Sequence, residues 1–226
     1  MSRVVCMIIT LLIISVIAPL TVSAQTDPAL LRVMHDSPDA PPVDVYVNGE
    51  RALENIGYTV TTEYLPVAPG EQFIQVVPTG QGVETAVIEA TVDLIRGEPY
   101  TVVAVNNLAN IQALVLTDKD ENVPADLASV RVIHASSNTG AFDIRPVGSE
   151  VPFLTDQFFT SADYVSLPPG VYQFEILSSE TGELLVTSPE FRFEAGWVYT
   201  ITLTGIGGSE AQPLQVRPSI DLVASS

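Results

Sequence analysis

The chain has 226 residues, of which 27 are acidic and 9 are basic, and its formal net charge is −18. A charge of this size and sign repels phosphate backbones and anionic lipids, so neither nucleic acid nor a membrane surface is an expected partner. Hydrophobic residues make up 46% of the chain and charged residues only 16%, which excludes an intrinsically disordered protein.

Residues 1–24 are predicted to be a secretory signal peptide. Arg3 provides a positive charge, residues 4–20 form an apolar run, and the small residues 22–24 suit cleavage before Gln25. A retained membrane anchor fits less well because the run is short and contains Pro19. Cleavage removes Cys6, the only cysteine, so we expect a secreted or cell-envelope protein without disulfides and without membrane insertion.

The first strand-like segment of the chain occurs twice. The segment "LRVMHDSPDAPPVDVYVNGE" (31–50) returns 99 positions later as "VRVIHASSNTGAFDIRPVGS" (130–149). Further along, "GEPYTVVAV" (97–105) matches "GWVYTITLT" (196–204). A period this long indicates a duplicated domain, because solenoid repeats are usually 20 to 50 residues long.

Each copy has the pattern of a β protein. Large apolar residues alternate, as in "VDVYVNG" and "YQFEIL", and turn signals separate the short runs. Four glycines are predicted to occupy turns, two after short strands and two in Pro-Gly pairs: Gly49, Gly148, Gly70 and Gly170. This pattern predicts an all-β chain of two tandem β-sandwich domains.

The polar stretch "DKDENVPAD" (118–126) interrupts the apolar alternation between the two copies. We therefore expect the signal peptide at 1–24, the first β-sandwich domain at 28–120, a linker at 121–127 and the second domain at 128–226, which ends in a short tail. A linker this short restricts the angle between the domains.

The motif "RVMHDSPDAPPVDVYVNG" (32–49) resembles the start of a bacterial and archaeal family known as domain of unknown function 4397. The second copy resembles a divergent member, in which "SNTGAF" replaces "PDAPPV". The resemblance implies a secreted or cell-surface protein with immunoglobulin-like or transthyretin-like sandwiches, often in tandem. It implies no established reaction.

Eight polar residues recur in the opening segments and are predicted to form a structural latch in each copy. We expect the imidazole and the serine hydroxyl to bond the backbone of the loop between the first two strands, while arginine and aspartate pair across those strands. The residues are Arg32, His35, Ser37 and Asp44, and then Arg131, His134, Ser136 and Asp143.

The alternative is that the histidines are catalytic. A Ser–His–Asp hydrolase needs a serine within reach of an oriented imidazole and an oxyanion hole. Ser37 follows His35 by only two residues, and the chain has no Gly-x-Ser-x-Gly segment. Each copy offers one histidine and no cysteine, so a zinc site within one domain is also not predicted.

Calcium is the only cofactor that the sequence suggests, and no other is predicted. Oxygen ligands suit this cation, and Asp36 and Asp39 lie close together in the first loop. Asp118 and Asp120 begin an EF-hand-like spacing, but Val123 stands where such a loop needs glycine. A looser site, or a solvated acidic turn, remains the alternative.

The predicted function is an interaction or structural module that is not an enzyme, with an unknown protein or glycan at the cell surface as partner. The alternative is a small-ligand-binding domain for calcium or a glycan that uses the acidic loop. A glycan platform would need exposed rings, for which Trp197 beside Phe191 and Phe193 is the candidate. A hydrolase is the third hypothesis.

Overall fold

A computed structural model describes residues 27–118 and 123–222. The predicted signal peptide and residues 119–122 of the linker region lie outside the described residues. The described chain is all-β, as predicted, and its only helical segments are two 3-10 turns, Val83–Thr85 and Leu108–Asn110. No helix in the described ranges is long and apolar enough to cross a membrane.

The N-terminal half contains eight strands in two four-stranded sheets. Sheet I has the order β4-β1-β7-β8, and sheet II has the order β3-β2-β5-β6. The strands are β1 (Ala29–His35), β2 (Val43–Val47), β3 (Glu50–Ile56), β4 (Leu65–Val67), β5 (Gly70–Pro78), β6 (Ile88–Leu94), β7 (Pro99–Val105) and β8 (Gln112–Thr117).

The C-terminal half repeats this arrangement. Sheet III has the order β12-β9-β17-β18, sheet IV has the order β11-β10-β14-β15, and β13 pairs with β16 in a small fifth sheet. The strands are β9 (Ala128–His134), β10 (Phe142–Pro146), β11 (Leu154–Gln157), β12 (Ala162–Leu167), β13 (Gly170–Tyr172), β14 (Phe174–Ser178), β15 (Leu184–Thr187), β16 (Phe191–Phe193), β17 (Val198–Thr204) and β18 (Gln215–Leu222).

Each half encloses its own apolar core between its two sheets. In the N-terminal half, Val33 and Val102 of sheet I pack with Val45 and Val76 of sheet II. In the C-terminal half, the corresponding core is richer in aromatic rings. Both halves are therefore face-to-face β-sandwiches, while their independence as two domains remains a prediction.

The central strands of sheets I and III are buried on both faces. All residues of β7, β9 and β17 are buried, and β1 differs only at Leu30. In both sheets the central pair is parallel, β1 with β7 and β9 with β17. Such strands need a cover on each side. One face packs on the core of its own half and the other on the opposite half, so the sheets stack in the order II, I, III, IV.

The predicted turn glycines behave in two ways. Gly49, Gly148 and Gly70 have positive φ angles of 82°, 85° and 96°, which favour glycine. Gly170 differs from the glycine expected after proline in such a turn, since its φ lies outside the left-handed region. An added Cβ there would lie 3.3 Å from Cε2 of Tyr172, so the close approach of that ring favours glycine at this position.

Candidate functional site

The most unusual feature of the molecule is a cluster of buried charges between sheets I and III. Strand alternation turns the Arg32 side chain away from the core of its own half. Its Nε donates to Thr101 Oγ1 at 2.7 Å, and its Nη1 donates to the carbonyl of Ile220 at 3.0 Å. Its Nη2 forms an ion pair with Asp221. Arg32 therefore bonds its own half through Thr101 and the other half through β18.

Arg131 makes the same set of contacts in the reverse direction. Its Nε donates to Thr200 Oγ1 at 3.0 Å, and its Nη1 donates to the carbonyl of Thr117 at 3.2 Å. Its Nη2 lies 2.5 Å from Asp118 Oδ1. Each half thus supplies one arginine and one aspartate, and each arginine reaches the aspartate of the opposite half.

Hydroxyl groups complete the bonding of both carboxylates. Thr101 and Tyr64 donate to Asp118 Oδ2, each at 2.5 Å, and Thr200 donates to Asp221 Oδ2 at 2.5 Å. All four charged side chains of the cluster are buried, with at most 4% of their surface exposed. Buried charges are tolerated only when they are paired and hydrogen-bonded, and this cluster meets both conditions with no net charge.

Two tyrosine rings lie against the arginines. The guanidinium carbon of Arg32 is 4.8 Å from the ring centre of Tyr64, and that of Arg131 is 5.2 Å from the ring centre of Tyr164. Burial and the charge of Asp118 raise the pKa of the Tyr64 hydroxyl, so it stays protonated and donates to that carboxylate. Burial alone would lower the pKa of Arg131, but its two carboxylate neighbours outweigh burial and raise it.

A second ion pair lies on one side of this cluster. Asp36 Oδ1 accepts a hydrogen bond from Arg217 Nη1 at 3.0 Å, and Arg217 also donates to the carbonyl of Thr59. Thr204 Oγ1 donates to the carbonyl of Asp36 at 3.1 Å and lies 3.3 Å from the Tyr58 hydroxyl. We call these five residues the polar side of the interface.

Asp36 is fully buried, and its Oδ2 has no hydrogen-bond partner in the structure. Burial raises the pKa of its carboxyl to about 6, although the nearby Arg217 opposes the shift. The carboxylate is therefore held by a single ion pair in an environment that disfavours its charge.

Both histidines contact the loop that follows their strand. His35 Nε2 is 3.1 Å from the carbonyl of Pro41, and His134 Nε2 is 2.7 Å from the carbonyl of Gly140. Burial lowers the pKa of both rings, so the imidazoles are neutral and Nε2 carries the proton that each carbonyl accepts. These contacts agree with the expected geometry of the latch, whose structural role remains a prediction.

The predicted pairing of arginine with aspartate inside each copy was wrong. Asp44 accepts hydrogen bonds from Asn55 N and Thr79 Oγ1, both at 2.9 Å, and Arg51 approaches it at 3.5 Å. The physical reason is that β1 belongs to sheet I and β2 to sheet II, so Arg32 and Asp44 do not lie on paired strands.

The C-terminal half requires the same correction. Asp143 accepts hydrogen bonds from Asp156 N at 2.9 Å and from Ser179 Oγ at 2.5 Å, while Arg131 contacts the other half. Burial raises the pKa of the corresponding Asp44, but its hydrogen bonds from Asn55, Thr79 and Gly80 and the charge of Arg51 outweigh burial and lower it. Each aspartate thus joins a neighbouring strand to a turn within its own half.

The serines also differ from the prediction. The Ser37 hydroxyl is buried and has no hydrogen-bond partner, and the backbone N–H of Ser37 is what contacts His35 Nδ1, at 3.4 Å. Ser136 Oγ donates to the side chain of Asn138 at 3.3 Å and not to the backbone. No serine hydroxyl contacts His35 among the bonds described, so this geometry does not form a nucleophile–base pair.

The candidate calcium ligands have other partners. Asp36 pairs with Arg217, Asp39 accepts the backbone N–H of Leu108 at 2.7 Å, and both oxygens of Asp118 accept bonds inside the charge cluster. Asp120 lies outside the described residues. Within residues 27–118 and 123–222, no group of three or more acidic, histidine or cysteine side chains is arranged to hold a metal ion.

The candidate aromatic platform is mostly core. Phe191 and Phe193 are buried between the sheets of the C-terminal half. Trp197 is partly buried and stacks on Tyr199, with ring centres 6.3 Å apart. These rings therefore do not form an exposed row.

Sequence reasoning missed several residues of the interface, among them Asp221, Arg217 and the paired threonines Thr101 and Thr200. One signal was available, because "YTVVAV" lacks polar alternation and so indicates a strand covered on both faces, although its counterpart "YTITLT" does alternate. The repeated threonine inside each run marks the position that binds arginine.

Three solved structures illustrate what the chain is similar to. A streptococcal virulence factor that binds α-glucan is 12% identical, with 83% of this chain and 97% of that chain covered and a TM-score of 0.27. A Bacteroides ovatus protein provisionally described as a cell adhesion protein is 9% identical, with 89% and 99% covered and a TM-score of 0.28. The fimbrial anchor protein Mfa2 from Porphyromonas gingivalis is 9% identical, with 86% and 99% covered and a TM-score of 0.22. Scores this low carry no argument about this chain.

The sequence matches no curated protein. The family model DUF4397, a domain of unknown function, matches residues 29–145, which is just over half of the chain. The matched region extends from β1 into β10 and includes the first opening segment and residues 130–145 of the second, with the arginine and histidine of each. The chain therefore belongs to the DUF4397 family.

Proposed function

We propose that this protein is a secreted or cell-envelope module that is not an enzyme and that serves interaction or structure. In this proposal the chain carries two tandem copies of the family domain, each an immunoglobulin-like or transthyretin-like sandwich, after a cleaved signal peptide. Its partner is a protein or a glycan at the cell surface.

The observation that carries this proposal is the reciprocal charge cluster. Arg32 and Arg131, the repeated residues most suited to chemistry, are buried and use their donors to join the two halves. The histidines are neutral and bonded to loops. The repeated polar residues thus support a rigid body, which leaves the loops and the edge strands as the surfaces that a partner can reach.

Rigidity is tested by a distance measurement between the halves. The chain without residues 1–24 has no cysteine, so Thr91→Cys in β6 and Glu183→Cys beside β15 provide two labelling sites at exposed positions. Double electron–electron resonance between spin labels at these two positions should give one narrow distance distribution. A broad distribution would contradict the rigid module.

Location and partner class are tested on cells of the source organism. Fractionation should place the chain outside the cytoplasm, and labelled chain should bind intact cells. Loss of binding after protease treatment indicates a protein partner, and loss after glycosidase treatment indicates a glycan. A cytoplasmic location, or a hydrolytic activity that disappears in folded His35→Ala, would refute the proposal.

A further inference from the structure

The interface between the halves is symmetric in its charge cluster but asymmetric on its two sides. Asp36 follows β1 at the position that Ala135 takes after β9, 99 residues later. Arg217 lies opposite Thr202 of β17, and Leu114 lies opposite Val103 of β7. Val103 and Thr202 are 99 residues apart, so Arg217 and Leu114 occupy equivalent positions in the two halves. An ion pair on one side thus corresponds to an alanine and a leucine on the other.

A hydroxyl pair shows the same asymmetry. The backbone bonds from Thr59 N to the His35 carbonyl and from Thr160 N to the His134 carbonyl, both 2.8 Å, mark equivalent turns. Tyr58 precedes the first of these turns and Phe159 precedes the second. Tyr58 meets Thr204 on the polar side, and the position equivalent to Thr204 in β7 is Val105.

The opposite side of the interface is apolar throughout. Val105 and Ala135 are buried members of one hydrophobic cluster, against which Leu114 and Phe159 pack. We call these four residues the apolar side. Each half therefore contributes one polar and one apolar patch. On the polar side, the N-terminal half supplies the carboxylate of Asp36 and the C-terminal half supplies the guanidinium of Arg217.

The symmetric cluster by itself cannot select the partner of a sheet. If sheet I packed on sheet I of a second copy of this chain, Arg32 of each copy would face Asp118 of the other, which reproduces the contact that Arg131 makes now. Sheet III could pair with itself in the same way, since Arg131 of each copy would face Asp221 of the other, which reproduces the contact that Arg32 makes now. A further feature is needed to favour the observed pairing.

We infer that the ion pair between Asp36 and Arg217 makes sheet I select sheet III and prevents either sheet from pairing with the same sheet of a second copy. Pairing of two sheets I would bury Asp36 against Leu114 without a cation. Pairing of two sheets III would place Arg217, whose side chain is 20% exposed, against Ala135 without an anion. A buried charge that loses its partner is strongly unfavourable, so both alternatives are disfavoured.

The test uses the chain without residues 1–24 and compares the unaltered sequence with two double variants. In Asp36→Ala/Arg217→Leu, the two charged positions take the residues found at the equivalent positions of the apolar side, so the selection by charge is removed. In Asp36→Arg/Arg217→Asp, the charges are exchanged and the selection is kept, which makes this variant the matched control. Each version is also made with a Gly/Ser insertion within 119–122, because a longer linker lowers the effective concentration of one half around the other.

The proteins are refolded from denaturant over a concentration series, and their masses are measured by light scattering after size exclusion. We expect the neutral double variant to form dimers and larger species with an association constant at least about tenfold above that of the unaltered chain, which corresponds to about 1.4 kcal/mol. The charge-exchanged variant should behave like the unaltered chain.

Two results would overturn the inference. One is a folded neutral variant whose mass distribution equals that of the unaltered chain, and the other is a charge-exchanged variant that associates as strongly as the neutral one. If circular dichroism shows that Asp36→Ala/Arg217→Leu does not fold, Asp36→Asn/Arg217→Gln, which removes both charges but keeps both side chains polar, decides the question by the same criteria.

Discussion

The inner sheets and the outer sheets of this molecule use repeated polar residues for different purposes. In inner sheets I and III, Arg32 and Arg131 bond residues of the opposite half of the chain. In outer sheets II and IV, Asp44 and Asp143 bond the backbone of the neighbouring strand in their own half. The comparison shows that residues repeated together in sequence form two separate structural systems, one between the halves and one within each half.

The two systems also differ in how far along the chain they reach. Arg32 and Asp221 are 189 residues apart, whereas Asp44 and Asn55 are 11 apart. Loss of an inner contact should therefore affect how the halves are joined, and loss of an outer contact should affect one sandwich only.

The largest effect is expected from Arg131→Ala, which removes the closer of the two cations from the buried Asp118 and leaves only Arg32, whose Nε lies 3.5 Å from Asp118 Oδ2. Removal of one partner from a buried pair costs about 3–5 kcal/mol of the free energy of unfolding, to be measured by urea denaturation. The matched control is Arg145→Ala in outer strand β10, whose pair with Glu175 is partly exposed. Equal losses in the two variants would contradict the distinction between inner and outer sheets.

The stability of the folded chain is expected to depend on pH through Asp36, a titratable residue on the polar side of the interface that has no titratable counterpart on the apolar side. Its pKa is raised from 3.8 to about 6 on folding, so the folded state binds the proton more tightly and this contribution to stability is lost as the pH rises from about 4 to about 6. The full contribution is roughly 3 kcal/mol. Thermal melts across this range should show a flatter profile for Asp36→Asn than for the unaltered chain.

The control for this pH series is Asp39→Asn, because Asp39 is exposed and contributes only a bond to Leu108 N. This variant should keep the profile of the unaltered chain. A profile that is the same for Asp36→Asn and the unaltered chain would show that Asp36 does not titrate differently on folding.

A smaller effect is expected from Asp143→Ala in the outer sheet. The substitution leaves the donors Asp156 N and Ser179 Oγ unpaired at a partly buried site, which costs about 1–3 kcal/mol. The distance between spin labels on the two halves should not change, because the contact lies within one sandwich. A shift in that distance would show that the outer carboxylate also joins the halves.

The smallest effect is expected from Arg51→Ala. Its pair with Asp44 measures 3.5 Å and its side chain is 46% exposed, so the loss in the free energy of unfolding should stay below about 1 kcal/mol. Chemical denaturation of Arg51→Ala and Arg131→Ala in parallel measures the difference between their free energies of unfolding. A loss as large as that of Arg131→Ala would remove the contrast between buried and exposed pairs.

Sequence patterns predicted the short-range features of the fold well. The alternation around Val45 and the repeat indicated the strands, and His35 contacts the loop six residues away, as expected. The contacts of Arg32 were not predictable in this way, because strand alternation shows only that its side chain leaves the core. It does not show which surface covers that side.

The amino-acid sequence by itself determined the all-β class and the family, since residue alternation, turn residues and a long motif are local properties. The partners of Arg32, Arg131 and Asp36 were decided only by the tertiary structure. The reason is that these contacts arise when sheet I packs on sheet III, and a one-dimensional pattern does not specify which of two covered faces meets which. The buried charges are tolerated only because that packing brings opposite charges from distant parts of the chain within hydrogen-bonding distance.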